Sequence, residues 1–265
     1  MSAARDTVSA LRTALAGLDP AAGLMAADLI SLGVASLDGP LGGGLRRAAL
    51  HEIYPTAGLK DTAAASGFGL GLALRAGGDR PLAWIRQDVV GAEIGRLHGA
   101  GLAAFGADPD RLILVRAGDQ AGGLRAALEA LRCPALGGVL VEFWGASRML
   151  DLTATRRLAL AANKSGVTLV MVRLGASPAP SAATTRWSVT AAASSPLEAN
   201  APGRPAFTIT LLRHRAGIPG RTWPVEWDCD RASFADPAPL PRPVVSVPAG
   251  REAGARHEAK WRLAG

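Results

Sequence analysis

Leu37 to Ile53 reads LDGPLGGGLRRAALHEI, and the interpretation of this stretch decides what the rest of the chain should be. Three consecutive glycines, Gly42 to Gly44, permit backbone with positive φ that residues bearing side chains avoid, so a sharp turn is expected there. Ala48 to Tyr54 then reads as a strand running into the core. A phosphate-cradling loop of spacing G-x-x-x-x-G-K-[ST] ought to follow, with lysine on the β/γ-phosphates and Ser/Thr on magnesium. The chain instead continues Pro55-Thr-Ala-Gly-Leu-Lys-Asp-Thr62. Gly58, Lys60 and Thr62 are the nearest counterparts of the required residues. However, Leu59 rather than glycine precedes Lys60, and the Asp61 carboxylate that follows has the wrong sign to face a triphosphate.

Working outward, Ser66 to Leu74 is expected to be the helix that follows this loop, with Gly67, Gly69 and Gly71 allowing close packing at some cost in helix propensity. Short apolar runs then alternate with helical segments, the pattern of a mostly parallel sheet with covering helices. Strands are predicted at Pro81–Arg86, Leu112–Val115, Gly138–Phe143 and Val167–Arg173, and helices at Gly91–Ala104, Ala121–Arg132 and Leu152–Ser165. Leu124, Leu128 and Leu131 fall on one face of the second of these helices and read as packing. Asp151 is placed to cap the third at its start, with Gly166 just past its end.

Past Arg173 the composition changes to Gly175-Ala-Ser-Pro-Ala-Pro-Ser-Ala-Ala, a connection rather than an element. Thr185–Thr190, Ala206–Arg213 and Arg221–Trp227 are β-like runs separated by Pro/Gly/Asn-rich turns, so an antiparallel extension at the sheet edge is expected. Phe207, Ile209 and Leu211 alternate with their neighbours, which predicts one buried face. The domain reading is an N-terminal helix in 1–23, marked by Val8, Leu11, Leu15 and Leu18, a core over 24–235, and a Pro-rich and basic tail over 236–265.

A length of 265 residues suits one large α/β domain with tails, and 49% hydrophobic residues suit a packed core. No apolar run reaches the ~18 residues of a membrane span, and no secretory signal pattern opens the chain, so a cytoplasmic protein without membrane attachment is expected. Cys133 and Cys229 lack the spacing of a disulfide framework or a metal site, so neither metal nor cofactor is expected. The net charge of +7 is compatible with a phosphate-bearing partner. It is equally compatible with compositional bias, because of the 29 basic residues only Lys60, Lys164 and Lys260 are lysine.

LDGPLGGGLRRAALHEIY resembles the lead-in to the nucleotide loop of RecA-like proteins, an L-D-x-x-L-G-x-G-G-L…E-I-Y segment. Trp84-Ile-Arg-Gln-Asp88, Gly138-Val-Leu-Val-Glu142 and Val167-Thr-Leu-Val-Met-Val172 match later core strands of those proteins. The distal stretch, Thr185-Arg-Trp-Ser-Val…Asn200-Ala-Pro-Gly…Arg213-His-Arg-Ala-Gly…Trp227, is more similar to the ImuA family than to RecA itself. The resemblance spans roughly Leu24 to Trp227. It implies a RecA-like fold and an accessory role in damage-induced, error-prone translesion synthesis within the SOS response. The partners it implies are an ImuB-like Y-family polymerase homologue and an error-prone C-family DNA polymerase, with RecA and single-stranded DNA as further candidates. Two other readings stand beside it: a RecA-like DNA-dependent ATPase, and a SulA-like division inhibitor.

The resemblance also places Glu142 at the end of the Walker B strand and Asp88 where an acid positions the attacking water. Two readings of these acids are open, catalytic groups or solvated and ion-paired strand ends. The second is favoured because no phosphate anchor places a substrate between them. No catalytic residue and no hydrolytic activity are therefore expected. His51, inside a strand, reads as a hydrogen-bonded core residue. For nucleic acid the best cluster is Arg186, Arg204, Arg213, Arg215 and Arg221, with Trp187 and Trp223 interleaved as stacking platforms. The alternative is a solvated edge whose arginines discourage sheet-to-sheet association. The segments matching the two DNA loops of RecA, Gly145–Leu150 and Gly175–Thr184, are short. In the tail, Arg256, Lys260, Trp261 and Leu263 combine charge with apolar anchors and read as a partner-docking segment.

Overall fold

A computed structural model describes residues 28–194, 196, 201, 203–215 and 219–237. The predicted N-terminal helix and the docking residues Arg256, Lys260, Trp261 and Leu263 lie outside the described residues. At Gly42, Gly43 and Gly44 the backbone has φ of 74°, 112° and 136°, as the triple glycine predicts. A side chain at Gly44 would place its Cβ 2.2 Å from the Ile30 carbonyl oxygen, so the turn closes directly on β1 (Leu29–Ile30). That strand pairs antiparallel with β2 (Leu45–Arg46), a two-stranded element the sequence reading missed. Between them, the short α1 (Ala35–Asp38) ends in a carboxylate that accepts hydrogen bonds from the Ser31 hydroxyl and the Leu32 and Gly33 amides. Leu32, Leu37, Leu41 and Leu45 are buried beneath this lead-in.

The main sheet has nine strands in the order β11-β10-β9-β8-β3-β7-β6-β4-β5. The parallel portion comprises β3 (Leu50–Pro55), β4 (Leu82–Gln87), β5 (Leu112–Ala117), β6 (Gly138–Trp144), β7 (Thr168–Leu174) and β8 (Thr185–Ala191). Onto β8 the predicted meander adds β9 (Ala206–His214) and β10 (Thr222–Asp228), antiparallel, and then the unpredicted β11 (Ser233–Ala235). Phe207, Ile209 and Leu211 are buried on one face of β9, as their alternation requires.

Helix α2 (Thr62–Gly77) covers one face of the sheet, extending the predicted Ser66–Leu74 at both ends. Its glycines set the packing distance: a Cβ on Gly69 would fall 2.8 Å from Val172 Cγ2, and one on Gly71 would fall 2.8 Å from Phe234. The helix predicted over Gly91–Ala104 is two helices, α3 (Asp88–Ile94) and α4 (Gly99–Ala104). Gly95, at φ 89°, leaves the helical region and interrupts the path. The opposite face carries α5 (Gln120–Leu131) and α6 (Leu152–Ser165), whose caps are as expected: Asp151 accepts from the Ala154 amide, and Gly166 is left-handed. Among the described residues no helix is long and apolar enough to cross a membrane.

Candidate functional site

Between the end of β3 and the start of α2 only Thr56 and Ala57 are free of regular structure, because a 3₁₀ turn occupies Gly58–Asp61. Asp61 dominates this segment. It is 3% exposed, and its two carboxylate oxygens accept the Ala57 amide at 2.8 Å and the Ala191 amide at 3.0 Å. An anion of the protein itself thus takes one of the backbone donors that a phosphate-binding loop turns toward its ligand, and ties the loop to the end of β8. Gly58 opens the turn at φ 57°, Lys60 is exposed, and Thr62 is buried with its hydroxyl donating to the Leu59 carbonyl at 2.8 Å.

The two acids singled out in the sequence both hold arginines. Glu142 is fully buried at the end of β6 and faces Arg86 across the β4–β6 ladder, where Arg86 Nε donates to Glu142 Oε2 at 2.7 Å. The second oxygen, Oε1, is buried without a hydrogen-bond partner. Asp88 begins α3 and accepts from Arg116 Nε at 2.8 Å, both groups being substantially exposed. Both acids thus stand at strand ends with an arginine partner.

Another buried acid was missed in the sequence. Glu52, in the middle of β3, faces Arg186 on β8, whose Nε donates to Glu52 Oε2 at 3.0 Å; Nη2 lies 3.0 Å from the same oxygen and donates to the Ala179 carbonyl and the Ser181 hydroxyl. The Ser181 hydroxyl donates to the same oxygen at 2.8 Å, and Tyr54 OH lies 3.4 Å from it. The Arg186 and Arg173 guanidinium groups stand 5.8 and 6.0 Å from the Tyr54 ring centroid. Burial, and then the Glu52 charge, push the Tyr54 hydroxyl up to about 12, so it remains a neutral donor. The available signal was a charge inside an otherwise apolar strand, which must find a partner.

His51 is a core residue, as predicted. Its Nε2 lies 2.9 Å from the Arg46 carbonyl oxygen, which can only accept, so Nε2 carries the proton. Nδ1 then accepts from the Thr185 hydroxyl at 2.7 Å, and that oxygen in turn accepts from Trp187 Nε1. Burial lowers the His51 pKa to about 4, which keeps the ring neutral.

The arginines grouped as nucleic-acid contacts do not share one surface. Arg186 is buried on Glu52, contrary to the expectation of a surface contact, and Arg204 pairs with Asp228 at 3.1 Å. Arg221 is exposed at the start of β10. Arg213 and Arg215 lie toward the same end of the β9–β10 pairing and line one groove, of whose lining Arg221 is not part. Trp187 and Trp223 pack inside the core, 6.2 Å apart, which leaves neither face open to a base. Among the described residues no cluster of His, Cys, Asp and Glu could hold a metal ion.

The order of the parallel strands and the antiparallel extension define a RecA-like α/β protein, and solved structures agree. The RadB recombinase superposes with a TM-score of 0.52 at 16% identity, over 78% of this chain and 99% of the recombinase. The particular family follows from sequence: Protein ImuA of Caulobacter vibrioides is 33% identical over 210 residues in each of two strains, NA1000 / CB15N and ATCC 19089 / CIP 103742 / CB 15. The match covers 72% of this chain and 81% of the relative. The chain belongs to the ImuA family. No protein-family model matches the sequence.

Proposed function

We propose that the protein is a cytoplasmic accessory factor of error-prone translesion synthesis that acts by binding and does not hydrolyse nucleotide. The observation that carries this reading is the Asp61 carboxylate, seated on the Ala57 and Ala191 amides in the segment that should receive a phosphate. A triphosphate entering there would meet a buried negative charge, with Glu142 already engaged by Arg86. A RecA-like fold can keep its recognition surfaces after its chemistry is gone. The partners of the proposal are an ImuB-like Y-family polymerase homologue and an error-prone C-family polymerase, with RecA and single-stranded DNA as additional ligands. The tail from Pro237 to Gly265 would supply a docking segment through Arg256, Lys260, Trp261 and Leu263.

The test has two arms. Calorimetric titration with ATP and a phosphate-release assay with single-stranded DNA should show neither saturable binding nor turnover; turnover abolished by Lys60→Ala would defeat the reading. Deletion of the gene should remove damage-induced mutation while leaving division arrest after damage intact. A chain ending at Asp236 should fold normally yet lose its polymerase partner.

A further inference from the structure

Helix α6 turns two large apolar side chains to solvent, Leu152 at 53% and Leu160 at 62% exposure, while Leu158 on its inner face is at 2%. Leu152, Arg156, Leu160 and Asn163 recur at helical spacing and form one wall of a groove of about 530 Å³. The floor is hydrocarbon, made by Ala49, Leu50 and Ala182 at the start of β3 and before β8. The far wall is basic, formed by Arg46, Arg213 and Arg215. The lining contains four arginines and no acidic side chain. Among the described residues, the side chains of Arg46, Arg156 and Arg215 enter no ion pair, and Arg213 donates only to the Ser181 carbonyl, at 2.9 Å.

We propose that this groove docks an acidic peptide segment of a partner protein, with carboxylates on the arginine rims and one or two aliphatic side chains set against Leu160 and the alanine floor. Unpaired cations around an apolar trough complement such a segment in both charge and hydrophobicity. The volume lies within the roughly 300–1,000 Å³ of a ligand pocket, enough for a few side chains. Nucleic acid fits less well: no aromatic side chain lines the groove to stack a base, and a sugar–phosphate backbone would lie against hydrocarbon. The chain's own C-terminus is unsuited, since residues 241–265 carry five Lys/Arg against two acids. The inference does not depend on the mutagenesis role proposed above.

The experiment pans a phage-displayed random peptide library against the full chain, with counter-selection against Arg156→Glu/Arg215→Glu. Recovered peptides are then measured by fluorescence anisotropy beside a labelled oligothymidylate. The expected peptides are rich in Asp and Glu around a Leu, Ile or Val. They should bind the double variant at least tenfold more weakly, weaken with Leu160→Ser alone and with added salt, and be indifferent to Arg125→Glu on α5. All four positions are solvent-exposed, so the variants should melt as the parent does. The proposal is overturned if no peptide is recovered, if the recovered peptides are not acidic, or if they bind the double variant undiminished. It is equally overturned if the oligothymidylate alone loses affinity in that variant, which would make the groove a nucleic-acid site.

Discussion

Glu52 and Glu142 are both fully buried, and each faces an arginine in register on a neighbouring parallel strand. They differ in what else they hold. Glu52 lies on the α5/α6 face, as Leu50 does, and adds the Ser181 hydroxyl and the Tyr54 hydroxyl to its two contacts from Arg186. Glu142 lies on the α2 face with a single donor, Arg86 Nε, and in both glutamates the second oxygen, Oε1, is buried without a hydrogen-bond partner. The first is held at one oxygen by three side chains, Arg186, Ser181 and Tyr54; the second is a strand-end acid held by one contact. Both arginines also anchor loops through backbone carbonyls, Arg86 to Gly95 and Arg186 to Ala179. What separates the pairs is therefore the fate of each glutamate when its arginine is removed.

Arg86→Met should produce the largest effect, a loss of about 3–5 kcal/mol, because Glu142 is then a buried charge with no remaining hydrogen bond among the described residues. Arg186→Met should cost less, about 2–3 kcal/mol, because Ser181 and Tyr54 still donate to Glu52. Urea denaturation of the two variants checks this order. Equal losses, or a greater loss at Arg186, would show that the extra partners of Glu52 contribute little.

His51 tests the residue beside Glu52 on the same strand. Its folded pKa of about 4 lies below the ordinary 6.5, so the unfolded chain takes up a proton first as the pH falls. Its contribution is complete above pH 6.5 and is lost progressively toward pH 4, in total about 3 kcal/mol for a shift of this size. Denaturation curves at pH 7.5 and 4.5 should show this loss in the parent, and His51→Gln should flatten it. A slope unchanged by His51→Gln would assign the acid sensitivity to other groups.

The parallel strands were legible because each is a short apolar run between helical segments, and the meander because Phe207, Ile209 and Leu211 alternate. The break between α3 and α4 was not legible, since a glycine such as Gly95 is tolerated within many helices and only its φ of 89° reveals the interruption. For the site, the lack of a Gly-Lys pair was visible, and so was the wrong sign of Asp61. The grip of Asp61 on Ala191, 130 residues away, was not. Glu52 and Arg186 stand 134 residues apart, so their pairing depends on which strands are neighbours and in what register. The same reasoning explains why Arg186 looked like a surface contact: composition cannot tell an arginine on the outer face of an edge meander from one turned inward.

Asp61→Asn should have an intermediate effect. The amide can accept from one of the two backbone donors, Ala57 N–H or Ala191 N–H, but must present its own NH₂ to the other. A buried donor left facing a donor costs about 1–3 kcal/mol. Thermal denaturation gives the loss, and amide exchange at Ala57 and Ala191 identifies the released donor. No change at either amide would mean that Asp61 does not clamp the loop to β8.

Asp88→Asn should have the smallest effect, and it marks the far end of the comparison. Like Glu142, Asp88 stands at the C-terminal end of the parallel strands and holds an arginine, but its side chain is 42% exposed and that of Arg116 is 80% exposed. Water screens both charges, so the pair should contribute less than about 1 kcal/mol. Asp88 also sits in the first turn of α3, where a negative charge meets unsatisfied backbone N–H groups; this adds a few tenths of a kcal/mol, also weakened by salt. Asn keeps the shape and an acceptor oxygen while removing the charge, so the urea midpoint should move little at physiological salt. The difference from the parent should shrink further at 1 M salt, where the Debye length is about 3 Å. A loss above about 2 kcal/mol that persists in high salt would place Asp88 with the buried acids, and burial would then no longer be what separates the strand-end carboxylates of this fold.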